Sequence, residues 1–407
     1  MKKILFLTTA NLTTNPRLLK EVRFFNLNFE CHFLGFSFNN WSDKLDKRYH
    51  QELTDIRFAY LKATKAARMS WLVASFVSKL ADKLHFLFPY NMLINAFGSD
   101  KRAFQLWRHL KCNRKKYDFL IAHNLGALYP AWRYACRKNI PFAFDIEDYH
   151  PGESVSRSVT RERIRREFLM KRILSEAVYI SYASPLIGER SLELIGIDKV
   201  KRHLLINNVF QSGEFVSPTS KNGRFRLVWF SQHIDAGRGL EAMLEALDDF
   251  KDVVELHLIG NLREGFFSQF LSHRCYIHIH QPIAQTELHL KLSTFDVGLA
   301  LENADQDMNR GICLTNKIWA YTQAGLYVLA TNTAAQIKFM QDHSWAGALI
   351  DLKKLTDLKE TIKTLIEKRS QIRDNAKKRY DNAQVLSWDM EGEKLNSILT
   401  NTLFGQE

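Results

Sequence analysis

The run Asn316-Lys317-Ile318-Trp319-Ala320-Tyr321 leads into Ala324-Gly325-Leu326-Tyr327-Val328-Leu329-Ala330, which reads as a helix, a glycine stop and a buried strand. The helix begins at Thr315 or Asn316, both competent caps, so Lys317 falls in its first turn. A lysine there opposes the helix dipole, so local stability does not explain it, whereas a bound anion does. A comparable turn lies upstream. Gly237-Arg238-Gly239-Leu240 directly precedes the helical run Glu241 to Leu247 and sets a cation where free helix amides gather positive charge, a geometry suited to phosphate. The plainer alternative is a turn glycine beside a solvated arginine.

Outward from these turns, short aliphatic runs alternate with stretches of helical period, the pattern of βα units in parallel sheets. Candidate strands of the first half are Ile4 to Thr8, Cys31 to Gly35, Phe119 to Ala122, Phe142 to Asp145 and Tyr179 to Ala183. Those of the second half are Arg226 to Phe230, Val254 to Ile259, Cys275 to His278, Val297 to Leu301 and Tyr327 to Thr331. Two sets of five imply an α/β protein of two doubly wound domains, joined near Leu205 to Ser220, where polar and glycine residues break the periodicity. The 407-residue length agrees with two or three domains, and 46% hydrophobic with 25% charged residues excludes a disulfide peptide or a disordered chain in favour of a soluble folded protein.

The formal charge of +13 predicts attraction to polyanions. It is unevenly placed: residues 1–205 hold 35 basic and 19 acidic side chains, residues 206–407 hold 22 and 25, so the first half carries the surplus. One basic segment is the helical run containing Arg157, Arg161, Arg163, Arg165, Arg166, Lys171 and Arg172. Another, with Lys62, Lys65, Arg68, Lys79 and Lys83, punctuates an apolar stretch of Met69, Trp71, Leu72, Phe76, Leu80 and then Phe86 to Phe88, as expected of an interfacial helix. For Phe76 or Leu80 taken singly, burial against the domain is the better expectation. No nucleic-acid reading motif is present, so nucleic acid is not expected as a partner. Five widely spaced cysteines read as buried thiols of a reducing compartment. The apolar start ends at Leu7, too early for a signal-peptide core, and no window approaches a membrane span, so any membrane contact is expected to be peripheral.

Ligands of open parallel sheets bind beyond the carboxyl ends of strands. That rule selects Asn11 and Asn15-Pro16-Arg17, His123-Asn124, and the cluster Glu147, Asp148, His150 and Glu153. In the second half it selects Ser231-Gln232, Gly237-Arg238-Gly239, Gly260, Glu302 and Asn316-Lys317. A lone histidine is usually structural, but its strand-end place raises His123 above that expectation. The acidic cluster is a weak metal set and a better candidate for acceptor hydroxyl recognition or general-base assistance.

The order Trp229-Phe230-Ser231-Gln232, Gly237-Arg238-Gly239-Leu240, Leu258-Ile259-Gly260, Phe295 to Ala300, Asn316-Lys317, Tyr321 and Ala324-Gly325 resembles the C-terminal half of GT-B glycosyltransferases, specifically the large retaining group called family 4 or group 1. Asn15-Pro16-Arg17, His123-Asn124 with Leu128, and Pro185 with Asn207-Asn208 are similar to its N-terminal half. The resemblance implies two Rossmann-like domains facing across a cleft. Residues 1–205 plus 386–407 would form the acceptor side, and 206–385 would hold a nucleoside diphosphate sugar. It implies a metal-independent, retaining hexosyl transfer without a cofactor, to a glycan or lipid-linked glycan, in bacterial cell-surface polysaccharide synthesis. Arg238 and Lys317 match the basic residues that stabilise the leaving diphosphate. Asn316 would orient that loop, Gln232 and Gly237 would line the donor, and His123 would touch the transferred sugar. Asn11, Arg17, Glu147, Asp148 and His150 would form the acceptor side. The family often carries two glutamates, the second holding the donor ribose, and here Ile312 and Ala320 stand at those positions. Either Glu302, or Asp305 or Asp307 in the same loop, replaces that carboxylate, or donor binding has changed. The other reading is a catalytically lapsed relative that binds a nucleotide or glycan as a partner protein. An anionic membrane presenting the acceptor accounts for the basic first half, and a cytoplasmic protein on the inner membrane face is the implied location.

Overall fold

The computed structural model describes residues 1–64, 68–155, 158–219, 222–303 and 307–405. Lys65, Arg157 and Asp305, named above, lie outside the described residues. The chain divides into two compact units, Met1–Asn207 with Glu391–Glu407, and Asn208–Met390. The first passes two residues beyond Leu205 because the Ile206 amide still donates to the Tyr182 carbonyl at 3.0 Å and Asn207 Nδ2 donates to Glu391 Oε1 at 3.0 Å. Residues 386–390 stay with the second unit, where the Trp388 amide donates to the Phe210 carbonyl at 2.9 Å.

The first unit is a parallel sheet of β1 (Lys3–Thr8), β2 (Glu30–Ser37), β3 (Arg57–Lys62), β4 (Phe119–His123), β5 (Phe142–Ile146), β6 (Tyr179–Tyr182) and β7 (His203–Leu205), in the order β3-β2-β1-β4-β5-β6-β7. The second is parallel too, with β8 (Phe225–Ile234), β9 (Val254–Leu262), β10 (Ile277–His280), β11 (Val297–Ala300), β12 (Tyr327–Thr331) and β13 (Gly347–Ile350) in the order β10-β9-β8-β11-β12-β13. Central strands such as β4 and β5 are buried throughout, which is why they read as continuous apolar runs. The expectation of five strands per domain misses β3, β7 and β13, all sheet edges. Arg57-Phe58-Ala59-Tyr60-Leu61-Lys62 is half exposed, and β7 and β13 have only three and four residues, too short to stand out as strands.

Helix starts follow their caps. Asn15 Oδ1 accepts from the Leu18 amide at 3.0 Å ahead of the helix Pro16–Phe25, whose proline sits where no amide bond is lost. The core of the second unit gathers Trp229, Leu240, Leu244, Leu256, Leu258 and Leu299, the inward residues of its central strands and first helix.

Two expectations are corrected. Of the five cysteines only Cys31 is buried; Cys112, Cys136 and Cys275 are exposed, since each lies on a helix or loop surface, and none of the five is in a disulfide. The helix Arg68–Leu84 turns its small residues Ala74, Ser78 and Ala81 inward and leaves Phe76 and Leu80 on its outward face. Phe76 is 66% exposed and Leu80 42%, so neither packs on the domain as expected. Met69 and Leu72 share that outward face, and Phe86, Leu87, Phe88 and Tyr90 extend it. Among the described residues no helix is long and apolar enough to cross a membrane.

Candidate functional site

Within the second unit the candidate residues sit at the carboxyl ends of β8, β11 and the start of the helix Asn316–Gln323. β8 runs four residues past its expected end, and Ser231 and Gln232 fall in an irregularity of its pairing with β9 between Phe230 and His233. Gln232 is exposed, and its backbone carbonyl accepts from Asn261 Nδ2 at 2.9 Å. Gly237 and Gly239 have φ of +78° and +80°, the left-handed region, and an added Cβ at Gly239 would run into Leu352. This turn delivers Arg238, partly buried, whose Nη1 donates to Ser231 Oγ at 3.2 Å. The Gly237 amide is taken by Glu241 Oε1 at 2.6 Å, so the turn does not present all its amides outward.

Lys317 lies in the first turn of its helix, after Thr315, whose side chain makes no cap bond, and is 7% exposed. Its Nζ donates to Glu302 Oε1 at 2.7 Å and stands 5.8 Å from the Trp229 ring centre. Thr315 Oγ1 donates to the same Glu302 oxygen at 3.1 Å. The Glu302 backbone is fixed in turn, its amide donating to Thr331 Oγ1 at 3.1 Å. Asn316 Oδ1 is buried and accepts no hydrogen bond. A buried acceptor without a partner is costly unless a donor from outside the chain uses it. Asp307 does not offer its carboxylate outward: it caps the helix Met308–Ile312, accepting from the Arg310 amide at 2.8 Å. Ala320 is fully buried and Ile312 8% exposed, so both stand as apolar wall.

In the first unit the candidates form a second group. Arg17 is fully buried; its Nε and Nη2 clasp both Asp145 oxygens at 2.7 and 2.8 Å, and Nη1 donates to the Ile206 carbonyl at 2.6 Å. Ser181 Oγ donates to Asp145 as well. His123, the last residue of β4, is 1% exposed, with Nε2 3.0 Å from Glu21 Oε2 and Nδ1 3.5 Å from Asp145 Oδ2. Burial pulls its pKa down, but the charge and hydrogen bond of Glu21 and the charge of Asp145 outweigh this and hold it above the ordinary imidazole value. Glu21, His123 and Asp145 bring ligand atoms within 4.8 Å of one another, but the Arg17 fork already neutralises Asp145. Asn124 follows with φ of +66°, a strained turn at the strand end.

Asn11 is fully buried and spent within the unit, on the helix Trp41–Glu52 and on its own loop: Nδ2 donates to Ser42 Oγ at 2.7 Å and Oδ1 accepts from the Thr14 amide at 3.0 Å. Arg17 and Asn11 therefore shape this end of the sheet from beneath. Glu147 and Asp148 are partly exposed beyond β5. Burial raises the Glu147 pKa to about 7, with Asp148 and Asp145 adding to the rise and Arg17 opposing it. His150 is 6% exposed, its Nδ1 3.4 Å from Glu153 Oε2, and that carboxylate also accepts from Arg166 Nη1 at 2.6 Å. Arg165 of the expected basic run is buried against Glu162 at 2.6 Å, whereas Arg161, Arg163, Lys171 and Arg172 are exposed. Sequence reasoning missed Glu21 and Asp145 as partners of His123 and Arg17, because they come from separate elements that only the sheet order aligns. A cavity of about 760 Å³ beside Arg57, Arg108 and Lys115 lies toward the amino ends of the strands, away from these residues.

No known family model matches the chain, and no curated protein matches it. Solved structures do. That of Anabaena HepE in complex with UDP superposes with a TM-score of 0.66 at 14% identity, over 98% of this chain and 100% of that one. A glycosyltransferase from Rickettsia africae gives 0.64 at 11% identity over the whole of both chains. The lipopolysaccharide outer core galactosyltransferase WaaB gives 0.62 at 12% identity, over 98% of this chain and 99% of that one. The likeness extends over both units and identifies the fold as GT-B, two Rossmann-like domains.

Proposed function

We propose that the protein is a glycosyltransferase that moves a hexose from a nucleoside diphosphate donor to a glycan or lipid-linked glycan, with retention and without a metal at the reacting centre, in cell-surface polysaccharide synthesis. The observation that carries this reading is the buried Lys317 ammonium in the first turn of a helix, with Arg238 delivered by a glycine turn of the same unit; the unpartnered Asn316 Oδ1, an acceptor, would suit a donor hydroxyl. Fixed cations there would stabilise the diphosphate as it leaves, the role a divalent ion plays elsewhere. Anabaena HepE has been solved with UDP, with UDP and glucose, and with UDP-glucose, and the present chain shares its fold, which supports a uridine diphosphate sugar as the first donor to try.

The donor would engage Gln232, Gly237, Arg238, Asn316 and Lys317, with Glu302 on a donor hydroxyl. On the acceptor side His123 would act from the end of β4, positioned by Glu21 and Asp145, while Glu147, Asp148 and His150 would meet the incoming hydroxyl. A Glu147 carboxyl that titrates near neutrality suits general-base assistance. The exposed apolar face around Phe76 and Phe86, flanked by exposed Lys79 and Lys83, supports peripheral attachment to an anionic membrane, and with it a cytoplasmic location at the inner membrane face.

The test is a binding series with UDP, GDP, ADP and their sugar conjugates against the parent, Lys317→Ala and Arg238→Ala. Binding of one nucleotide family by the parent and its loss in both variants is the expected result. Equal indifference of all three proteins to every nucleotide would remove the donor site. Binding without any transfer to a panel of glycan acceptors would favour the lapsed, partner-protein reading.

A further inference from the structure

Glu255 and His257 alternate with Leu256 along β9, so they share the face opposite the core, and His278 and His280 do the same on the edge strand β10. The parallel register sets His278 beside His257. One face of two neighbouring strands thus carries three imidazoles and a carboxylate. The His257 ring stacks at 4.7 Å from that of His278 and 5.2 Å from that of His280. Ligand atoms of Glu255, His257 and His278 all lie within 4.8 Å of one another, and His257 Nε2 stands 3.6 Å from Glu255 Oε2. His257 Nε2 is buried and has no hydrogen-bond partner.

We infer that Glu255, His257 and His278 form a binding site for a zinc-type divalent ion that ties the edge strand β10 to β9. Two imidazoles and one carboxylate are a nitrogen and oxygen set of the kind that zinc accepts, with a fourth position left for water. The site is separate from the donor reading: His257 is the fourth residue of β9, whereas the candidate donor residues follow strand ends. His280 is the positioning residue. Its Nε2 lies 2.9 Å from His257 Nδ1, so it fixes which His257 nitrogen carries the proton.

The flanking cation sets a competition. Lys291 Nζ is 3.3 Å from His280 Nδ1, and an ammonium only donates, so His280 accepts there and donates through Nε2 to His257 Nδ1. The His257 proton then sits on Nε2, facing Glu255. An entering ion needs the lone pair at that nitrogen. The proton must shift to Nδ1, His280 must accept it at Nε2 and carry its own on Nδ1, and Lys291 must swing away. Both rings stay neutral and no proton is gained or lost. Arg226, whose Nε is 3.3 Å from Glu255 Oε2, is a second competitor, and an entering ion must displace this single contact, which is looser than the doubly bonded fork of Arg17 on Asp145.

ZnCl₂ titrated into the metal-free, untagged full chain should bind at one equivalent and raise the melting temperature. His278 is exposed, so His278→Ala folds as the parent does and should abolish that equivalent along with the thermal shift. His280→Ala should weaken it roughly tenfold to a hundredfold, the cost of losing an orienting partner. Lys291→Ala should tighten it. Absence of stoichiometric binding by the parent, or undiminished binding by His278→Ala, would overturn the assignment.

Discussion

The Lys317 ammonium is held at 2.7 Å by the Glu302 carboxylate, with each side chain about one-tenth exposed. The cation proposed to meet a diphosphate is thus already neutralised by the residue proposed to meet a donor hydroxyl, and the two roles can be separated. Glu302→Gln removes the competing charge but keeps a hydrogen-bonding group. Bare UDP should therefore bind that variant about threefold to tenfold more tightly, the scale of one partly screened charge pair, while UDP-glucose gains less. Calorimetry with both ligands measures the ratio. Parallel gains for both would show that Glu302 does not touch the sugar.

Arg17 and Asp145 form a fully buried, doubly bonded pair, so removing one partner strands a charge. Arg17→Met or Asp145→Asn should each cost about 3–5 kcal/mol. The double variant Arg17→Met/Asp145→Asn should lose much less than the two single losses added together. Urea unfolding of all four proteins closes the cycle, and simple additivity would count against the pair acting as a unit.

Glu147 has a folded pKa of about 7 against an ordinary 4.5, so the folded chain binds its proton more tightly than the unfolded one. The stability this confers is fully present below about 4.5 and is lost as pH rises through about 7. Replacing the group by Glu147→Gln removes that loss. Melting temperatures of variant minus parent should grow from pH 5 to pH 8 and then level. A difference that is flat across this range would mean Glu147 does not titrate there.

The outward face of Arg68–Leu84 should govern lipid attachment. Phe76→Ser with Phe86→Ser removes large exposed apolar groups and should cut flotation with anionic liposomes by at least about tenfold, from the transfer energy of two aromatic side chains. Unfolding curves should match the parent, because neither ring is packed. Lys79→Gln with Lys83→Gln should weaken binding to anionic but not neutral liposomes. Unchanged flotation of the serine variant would place any membrane contact elsewhere.

The sequence carried the architecture wherever burial was two-sided. Strands such as Phe119–His123 and Tyr327–Thr331 announce themselves because both faces are apolar, while Arg57–Lys62 hides because one face meets water. The two cation-bearing turns were legible for a local reason, since Gly237-Arg238-Gly239 and Asn316-Lys317 each place a cation at a helix start within a few residues. The His123 environment was not legible. Its partners Glu21 and Asp145 lie 102 and 22 positions away and meet it only through the order β1-β4-β5. The histidine face was written as alternation, Glu255-Leu256-His257 and His278-Ile279-His280, but pairing these segments requires the register.

Ala320, fully buried in its helix, has a consequence for discrimination between nucleotides. In the proposed donor site the family resemblance puts a ribose-holding carboxylate where Ala320 stands, and a methyl group accepts no hydrogen bond. With Glu302 spent on the hexose and no acceptor at position 320, the loss of a ribose hydroxyl would leave nothing in the protein unsatisfied there. A 2′-deoxynucleoside diphosphate should then compete with its ribonucleotide on nearly equal terms, and a displacement assay with the two would read the cost of that single side chain.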